Sequence, residues 1–148
     1  FEASTHSAAA LAGAAEAQSE ALRHFGDHLG IAFQLVDDLL DYQGDAAALG
    51  KNVGDDLAEG KPTLPLIYTM REGSAEQAAL VRTAIQKGGI EDLESIRAAV
   101  QASGALDYTA RLARQHADQA IACLDTLPDS AYRDALIELS RFAVARTH

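Results

Sequence analysis

The chain has 148 residues, enough for one domain with a substantial core, and its 48% apolar and 23% charged residues are ordinary for a soluble globular protein. A net charge of −10 excludes non-specific binding to nucleic acid or anionic membrane, although an acidic chain still binds an anion where a metal ion intervenes. The lone cysteine, Cys123, excludes an intrachain disulfide and fits a reducing cytoplasm, and no apolar run reaches the roughly 18 residues of a membrane span.

Abundant Ala and Leu, three Pro and no Trp favour helix. The segment from Phe1 to Leu22 reads as one long helix or two, with small residues that allow close packing. Gly26 and Gly30 bracket a short segment that can run into the next helix, Ile31 to Tyr42. Gln43 to Pro62 holds Gly44, Gly50, Gly54 and Gly60 with Asp45, Asp55 and Asp56, and reads as a long loop of the kind that often carries function. A short helix follows over Thr63 to Arg71, with Pro65 in its first turn, where a missing N–H is harmless, and Gly73 ends it. Ser74, ahead of Glu76 and Gln77, is an N-cap for a helix to about Gln86, which Gly88 and Gly89 break. Glu91 to Ala102 is a further amphipathic helix ended by Gly104. Leu106 to Leu127 is a long one stopped by Pro128, and Asp129 or Ser130 caps a last helix through about Ala145. There is little apolar alternation and few β-branched clusters, so the expected organisation is one all-helical unit.

Within the helix Ile31 to Tyr42, the stretch FQLVDDLLD sets Asp37, Asp38 and Asp41 among Phe33, Leu35, Val36, Leu39 and Leu40. Asp37 and Asp41 are four apart and share a helix face, Asp38 lies beside them, and Gln34 is one turn earlier. Like charges at this spacing repel, and burial without a partner would protonate them. One reading is a solvated acidic edge. The other is a Mg²⁺ site, because Mg²⁺ takes a few carboxylate oxygens, keeps waters and draws its remaining ligands from phosphates. The absence of nearby Cys or His at ligand spacing makes zinc a poor candidate. In LGKNVGDDLAEGKPT, Lys51 and Lys61 are flexible point charges suited to diphosphate oxygens, Asp55 and Asp56 suit the waters of a metal, and the glycines allow the loop to fold over a ligand.

FQLVDDLLDY followed by LGKNVGDDLAEGKPTLPLI resembles the second aspartate-rich region of the trans-polyprenyl diphosphate synthases, nearest in type to the bacterial octaprenyl synthases. The resemblance runs over essentially the whole chain. It implies an all-α isoprenoid-synthase fold that ionises an allylic diphosphate and condenses the cation with isopentenyl diphosphate, five carbons per cycle. By that resemblance Asp37, Asp38 and Asp41 hold Mg²⁺, Lys51 and Lys61 contact the allylic diphosphate, and Gln34 sits near the developing cation. The released diphosphate accepts the proton, and the enzyme is a cytoplasmic homodimer, partly through the helix of Phe1 to Glu16. The family also carries a first aspartate-rich motif and a basic site for isopentenyl diphosphate, which these residues do not contain. The chain therefore reads as the C-terminal half of such an enzyme, binding diphosphate weakly by itself and not turning over. Its product would be a long-chain all-trans polyprenyl diphosphate for quinone side chains.

The competing reading is a non-catalytic partner subunit of the same fold, though such subunits tend to have degraded aspartate motifs and this one is intact. A terpene cyclase is disfavoured by the GKPT loop. His24 and His28 share a helix face but show no third ligand, and His6, His116 and His148 carry no pattern. Cys123 reads as a packed thiol, Arg111 and Arg114 as a solvated face, and Tyr42 as a residue packed beneath the aspartates; Arg141 and Arg146 lie near the chain end.

Overall fold

Helix α1 (Glu2–Leu11) and helix α2 (Glu16–Gln43) open the chain, separated by a turn at Gly13. Of the two readings of Phe1 to Leu22, one long helix or two, the second is observed, with the break at Gly13 (φ +66°). The 28 residues of α2 run straight through Gly26 and Gly30. A helix-interior glycine costs about 1 kcal/mol relative to alanine, and here it has a packing reason. A Cβ on Gly26 would lie 2.1 Å from Thr5 Oγ1 and 2.9 Å from both Glu2 Cα and Phe1 O, so the start of α1 crosses α2 at van der Waals contact with its backbone.

The structure is a computed structural model and describes residues 1–43, 54–87 and 92–145. Among these, every regular element is helical. After α2 come α3 (Asp55–Ala58), α4 (Leu64–Glu72), α5 (Ala75–Lys87), α6 (Leu93–Ala102), α7 (Ala105–Cys123), a 3₁₀ turn (Leu124–Thr126) and α8 (Ala131–Ala145). No helix of the described residues is long and apolar enough to cross a membrane. The chain divides into two compact units, residues Phe1–Val36 with Arg111–His148, and residues Asp37–Ala110.

In the first unit, Phe25, Leu29, Ala120, Leu124 and Ala143 form a buried apolar cluster, with Leu22, Leu127, Leu136 and Ile137 packed against it. Full burial of a ring the size of Phe25 is worth about 1.5–3 kcal/mol. Cys123 packs on this cluster, and burial raises its thiol pKa, which keeps it a neutral, inert thiol. Arg23 ties α2 to α1 through Glu2 (2.9 Å) and also pairs with Glu20 (3.0 Å). In the same unit, Ser130 Oγ accepts the Arg133 N–H at 3.2 Å, as a helix N-cap does, and the Arg133 guanidinium reaches back to Asp125 and Asp129.

In the second unit the core is Tyr42, Leu57, Leu66, Val81, Ile96, Val100 and Ala105. Helix α4 packs on α5 and α6, and α3 on α5. Ser74 and Gln77 form a reciprocal capping box at the start of α5. The Ser74 N–H donates to Gln77 Oε1 at 2.8 Å and the Gln77 N–H to Ser74 Oγ at 3.2 Å, satisfying two of the orphan donors of the helix start. Buried Thr69 donates to Pro65 O at 2.8 Å and lies 2.9 Å from Ser103 Oγ, linking α4 to the end of α6. The segment expected as a continuous loop from Gln43 to Pro62 contains the single turn α3, because Leu57 is fully buried in the core and draws the chain around it into a helical turn.

Candidate functional site

The aspartates lie in the last two turns of α2, where Val36 and Leu39 are fully buried and Asp38 is itself only 6% exposed. Asp37 and Asp41 are half-buried. The apolar positions seat this end of the helix in the core and so carry the carboxylates inward. A buried carboxylate needs donors, and two come from the segment that follows. The Gly54 N–H lies 3.2 Å from Asp41 Oδ1 and also 3.2 Å from the Asp41 carbonyl oxygen. The Leu64 N–H, at the start of α4, points to Asp38 Oδ2 at 3.5 Å, so a side chain of α2 takes the place of the missing side-chain cap at Thr63.

Gly54 occupies a position where only glycine sits without strain. Its φ is +88°, and an added Cβ would lie 2.6 Å from Leu93 Cδ1. Directly after it, Asp56 accepts from Lys61 Nζ at 3.1 Å, and Glu59 accepts from the same ammonium at 2.6 Å. These carboxylates, Glu59 first, hold the Lys61 pKa above the ordinary lysine value, so it remains a cation. Its side chain stays half exposed.

Tyr42, next to Asp41, is buried in the core, and its hydroxyl lies 3.4 Å from Thr63 Oγ1. Burial pushes the phenol pKa well up, so Tyr42 is neutral and serves packing, as the sequence led one to expect. The Tyr42 carbonyl accepts a 3.1 Å bond from Arg97 Nε on α6.

Of the residues expected to carry chemistry, the second unit brings together Asp37, Asp38, Asp41 and, at the next segment, Asp56 and Lys61. Gln34, on α2, belongs to the first unit. It is exposed and lines a shallow open groove of about 280 Å³ with Phe1, Glu2, Gly30 and Ile31. Lys51 lies outside the described residues, as do Asp45, Gly50 and Arg146. Among the described residues no three His, Cys, Asp or Glu side chains converge as a group that could hold a metal ion. The histidines pair differently from their spacing on α2. His28 Nδ1 is 3.0 Å from His116 Nδ1 of α7 within the first unit, while His24 lies beside Arg23 and Glu20. Sequence reading gave no signal for that pair, nor for Arg97 at the end of α2, since both contacts join residues distant in the chain.

Comparison with known proteins supplies the frame for these features. The sequence profile of the polyprenyl synthetase family matches residues 1–103. The chain is 50% identical to the octaprenyl diphosphate synthase of Haemophilus influenzae, over 100% of this chain and 45% of that protein. It superposes with a TM-score of 0.90 and 44% identity on a polyprenyl synthase from Caulobacter crescentus solved with calcium and isoprenyl diphosphate, over 100% of this chain and 46% of that one. A geranylgeranyl pyrophosphate synthase from Corynebacterium glutamicum, solved with isoprenyl diphosphate and magnesium, matches at 34% identity and a TM-score of 0.83, over 93% of this chain and 40% of that one. The chain thus spans about half the length of the relatives it matches. With an all-helical architecture, an aspartate-bearing helix end and a family profile across most of its length, this chain belongs to the polyprenyl synthetase family.

Proposed function

We propose that this chain supplies the second aspartate-rich half of a Mg²⁺-dependent trans-polyprenyl diphosphate synthase. The enzyme elongates an allylic prenyl diphosphate with isopentenyl diphosphate to a long-chain all-trans product. The observation that carries the reading is the end of α2, where the Asp38 and Asp41 carboxylates sit at the edge of a core and accept backbone N–H groups of Leu64 and Gly54. Such bonds orient carboxylates as outer partners orient metal ligands.

The donor set fits the ion. Three carboxylates within five positions offer only hard oxygen, with no thiolate or imidazole among them. Mg²⁺ binds through one or two carboxylates plus waters and phosphate oxygens, so a closed protein cage is not required. The calcium and magnesium complexes of the two related synthases are in keeping with this. A bound Mg²⁺ supplies charge neutralisation at the departing diphosphate.

The residues then divide the work. Asp37, Asp38 and Asp41 hold the ion. Lys61 and Lys51 bind diphosphate oxygens, for which Lys61 exchanges its present partners Asp56 and Glu59. For Gln34, one turn before the aspartates in sequence, a role beside the developing allylic cation is what the family resemblance implies. The C–O bond of the allylic diphosphate breaks, the cation adds to the double bond of isopentenyl diphosphate, and the proton that is lost goes to the released diphosphate. Fixed cations aimed at the leaving group stabilise this transition state more than the ground state. The chain by itself is expected to bind without elongating, and the complete enzyme to be a homodimer in the cytoplasm.

Calorimetric titration of the chain with inorganic diphosphate, with and without Mg²⁺, tests the reading. Binding should require Mg²⁺ and be lost in Asp38→Asn and Asp41→Asn. Metal-independent binding, or binding unchanged in both variants, would sink it.

A further inference from the structure

The aspartate end of α2 has an electrostatic problem that its own sequence does not solve. A helix C-terminus carries partial negative charge and up to four carbonyls without an intrahelical partner. Here the last two turns add Asp37, Asp38 and Asp41, and the last turn has no basic residue. The compensation comes from elsewhere in the second unit. The Asp41 carbonyl receives the Gly54 N–H at 3.2 Å, and the Tyr42 carbonyl receives Arg97 Nε at 3.1 Å. Arg97 stands 55 positions away on α6, held by Glu94 at 3.4 Å, and it follows Ile96, whose side chain is fully buried in the same core as Tyr42.

We infer that Arg97 is a positioning residue for the metal and diphosphate site: it caps the aspartate helix from α6, supplies the cation its last turn lacks, and so fixes the backbone from which Asp38 and Asp41 project. This rests on the reading of the site given above. Among the described residues Arg97 bonds to the Tyr42 carbonyl and to Glu94, so its effect passes through that carbonyl and the turn that ends in Gly54. A guanidinium suits the task, because it stays charged and presents its donors in a rigid fork. Lysine keeps the charge and loses the fork, and glutamine keeps a donor and loses the charge.

The test compares the chain with Arg97→Ala, Arg97→Lys and Arg97→Gln by calorimetry with Mg²⁺ and inorganic diphosphate, under conditions where circular dichroism shows each variant folded. Partners one step removed from a metal typically contribute 10–100-fold in affinity, and a backbone-mediated one should contribute about fivefold or somewhat more. Arg97→Ala is therefore expected to weaken binding by about that factor, Arg97→Lys to restore part of it, and Arg97→Gln to restore less. Hydrogen exchange of the Gly54 amide should quicken in Arg97→Ala, while the amides of Phe25 and Leu29 in the first unit keep their rates. A purely structural role would lower the unfolding midpoint and leave affinity and Gly54 exchange in the folded protein unchanged, and that result overturns the inference. If Arg97→Ala does not fold, equal affinities in the Lys and Gln variants and the parent chain overturn it instead. Failure of the unsubstituted chain to bind overturns the site reading, and the inference with it.

Discussion

Replacing Gly54 by alanine is the sharpest local perturbation the site offers. The backbone there has φ +88°, a region that costs an L-residue about 1–2 kcal/mol. The new Cβ would sit 2.6 Å from Leu93 Cδ1 and 3.2 Å from Cδ2. Leu93 can swing, but it packs against the core of the second unit, so moving it costs roughly 1–3 kcal/mol in the manner of other overpacked sites. Against this, alanine restricts the unfolded chain and returns about 0.4–1 kcal/mol. The net destabilisation is roughly 1–4.5 kcal/mol, centred near 3. With a urea slope of about 2 kcal/mol/M for a chain of this size, the midpoint falls by about 1.5 M. The same change displaces the N–H that bonds Asp41 Oδ1, so affinity for Mg²⁺ and inorganic diphosphate should fall in parallel. Urea unfolding by circular dichroism and calorimetry check the two effects. A midpoint shift below about 0.2 M with unaltered affinity would refute the account of this turn.

Gly26→Ala should also destabilise, despite the better helix propensity of alanine. Its Cβ would meet backbone atoms of Glu2 and Phe1 at 2.9 Å, which cannot swing aside, so α1 must lift off α2. Thermal unfolding reads the loss, and an unchanged or raised midpoint would contradict the crossing at this point. The His28–His116 pair makes stability depend on pH. At 3.0 Å between ring nitrogens one imidazole must donate and the other accept, so they cannot both be protonated and keep the bond. The His116 pKa is lowered, first by burial and then by the charge of His28, with Asp27 opposing. A base with a depressed folded pKa gives stability that is fully present above the unfolded value of about 6.5 and is lost as pH falls from there through the folded value. Unfolding free energies in mildly acidic buffers should fall more steeply for the parent chain than for His116→Gln, and parallel curves would dismiss the pair as a titrating contact.

Much of the fold was legible because its punctuation is local. Gly73, the Ser74 and Gln77 box, Pro128 and Ser130 mark helix ends by chemistry that acts within a few residues. The helix α3 was not, since four residues among glycines carry little periodicity and its cause is the burial of Leu57 in a core assembled from distant segments. Gly26 illustrates the same limit: the sequence shows that the helix can continue through it, but not that the close crossing by the start of the chain requires it. The aspartate motif was legible as a pattern on one helix face. Its supporting bonds, from Gly54, Leu64 and Arg97, were not, because they join residues 13, 26 and 55 positions apart whose proximity is set by tertiary packing.

In the proposed function, the carboxylates at the end of α2 hold Mg²⁺ and diphosphate together. Amide resonances offer the most direct view, since the Gly54 and Leu64 N–H groups point at Asp41 and Asp38. In a titration followed by ¹⁵N–¹H correlation spectra, the account predicts that both resonances move when Mg²⁺ and inorganic diphosphate are added together and move far less with diphosphate alone. Saturable shifts that leave Gly54 and Leu64 in place would put the ligand elsewhere on the chain and contradict the claim.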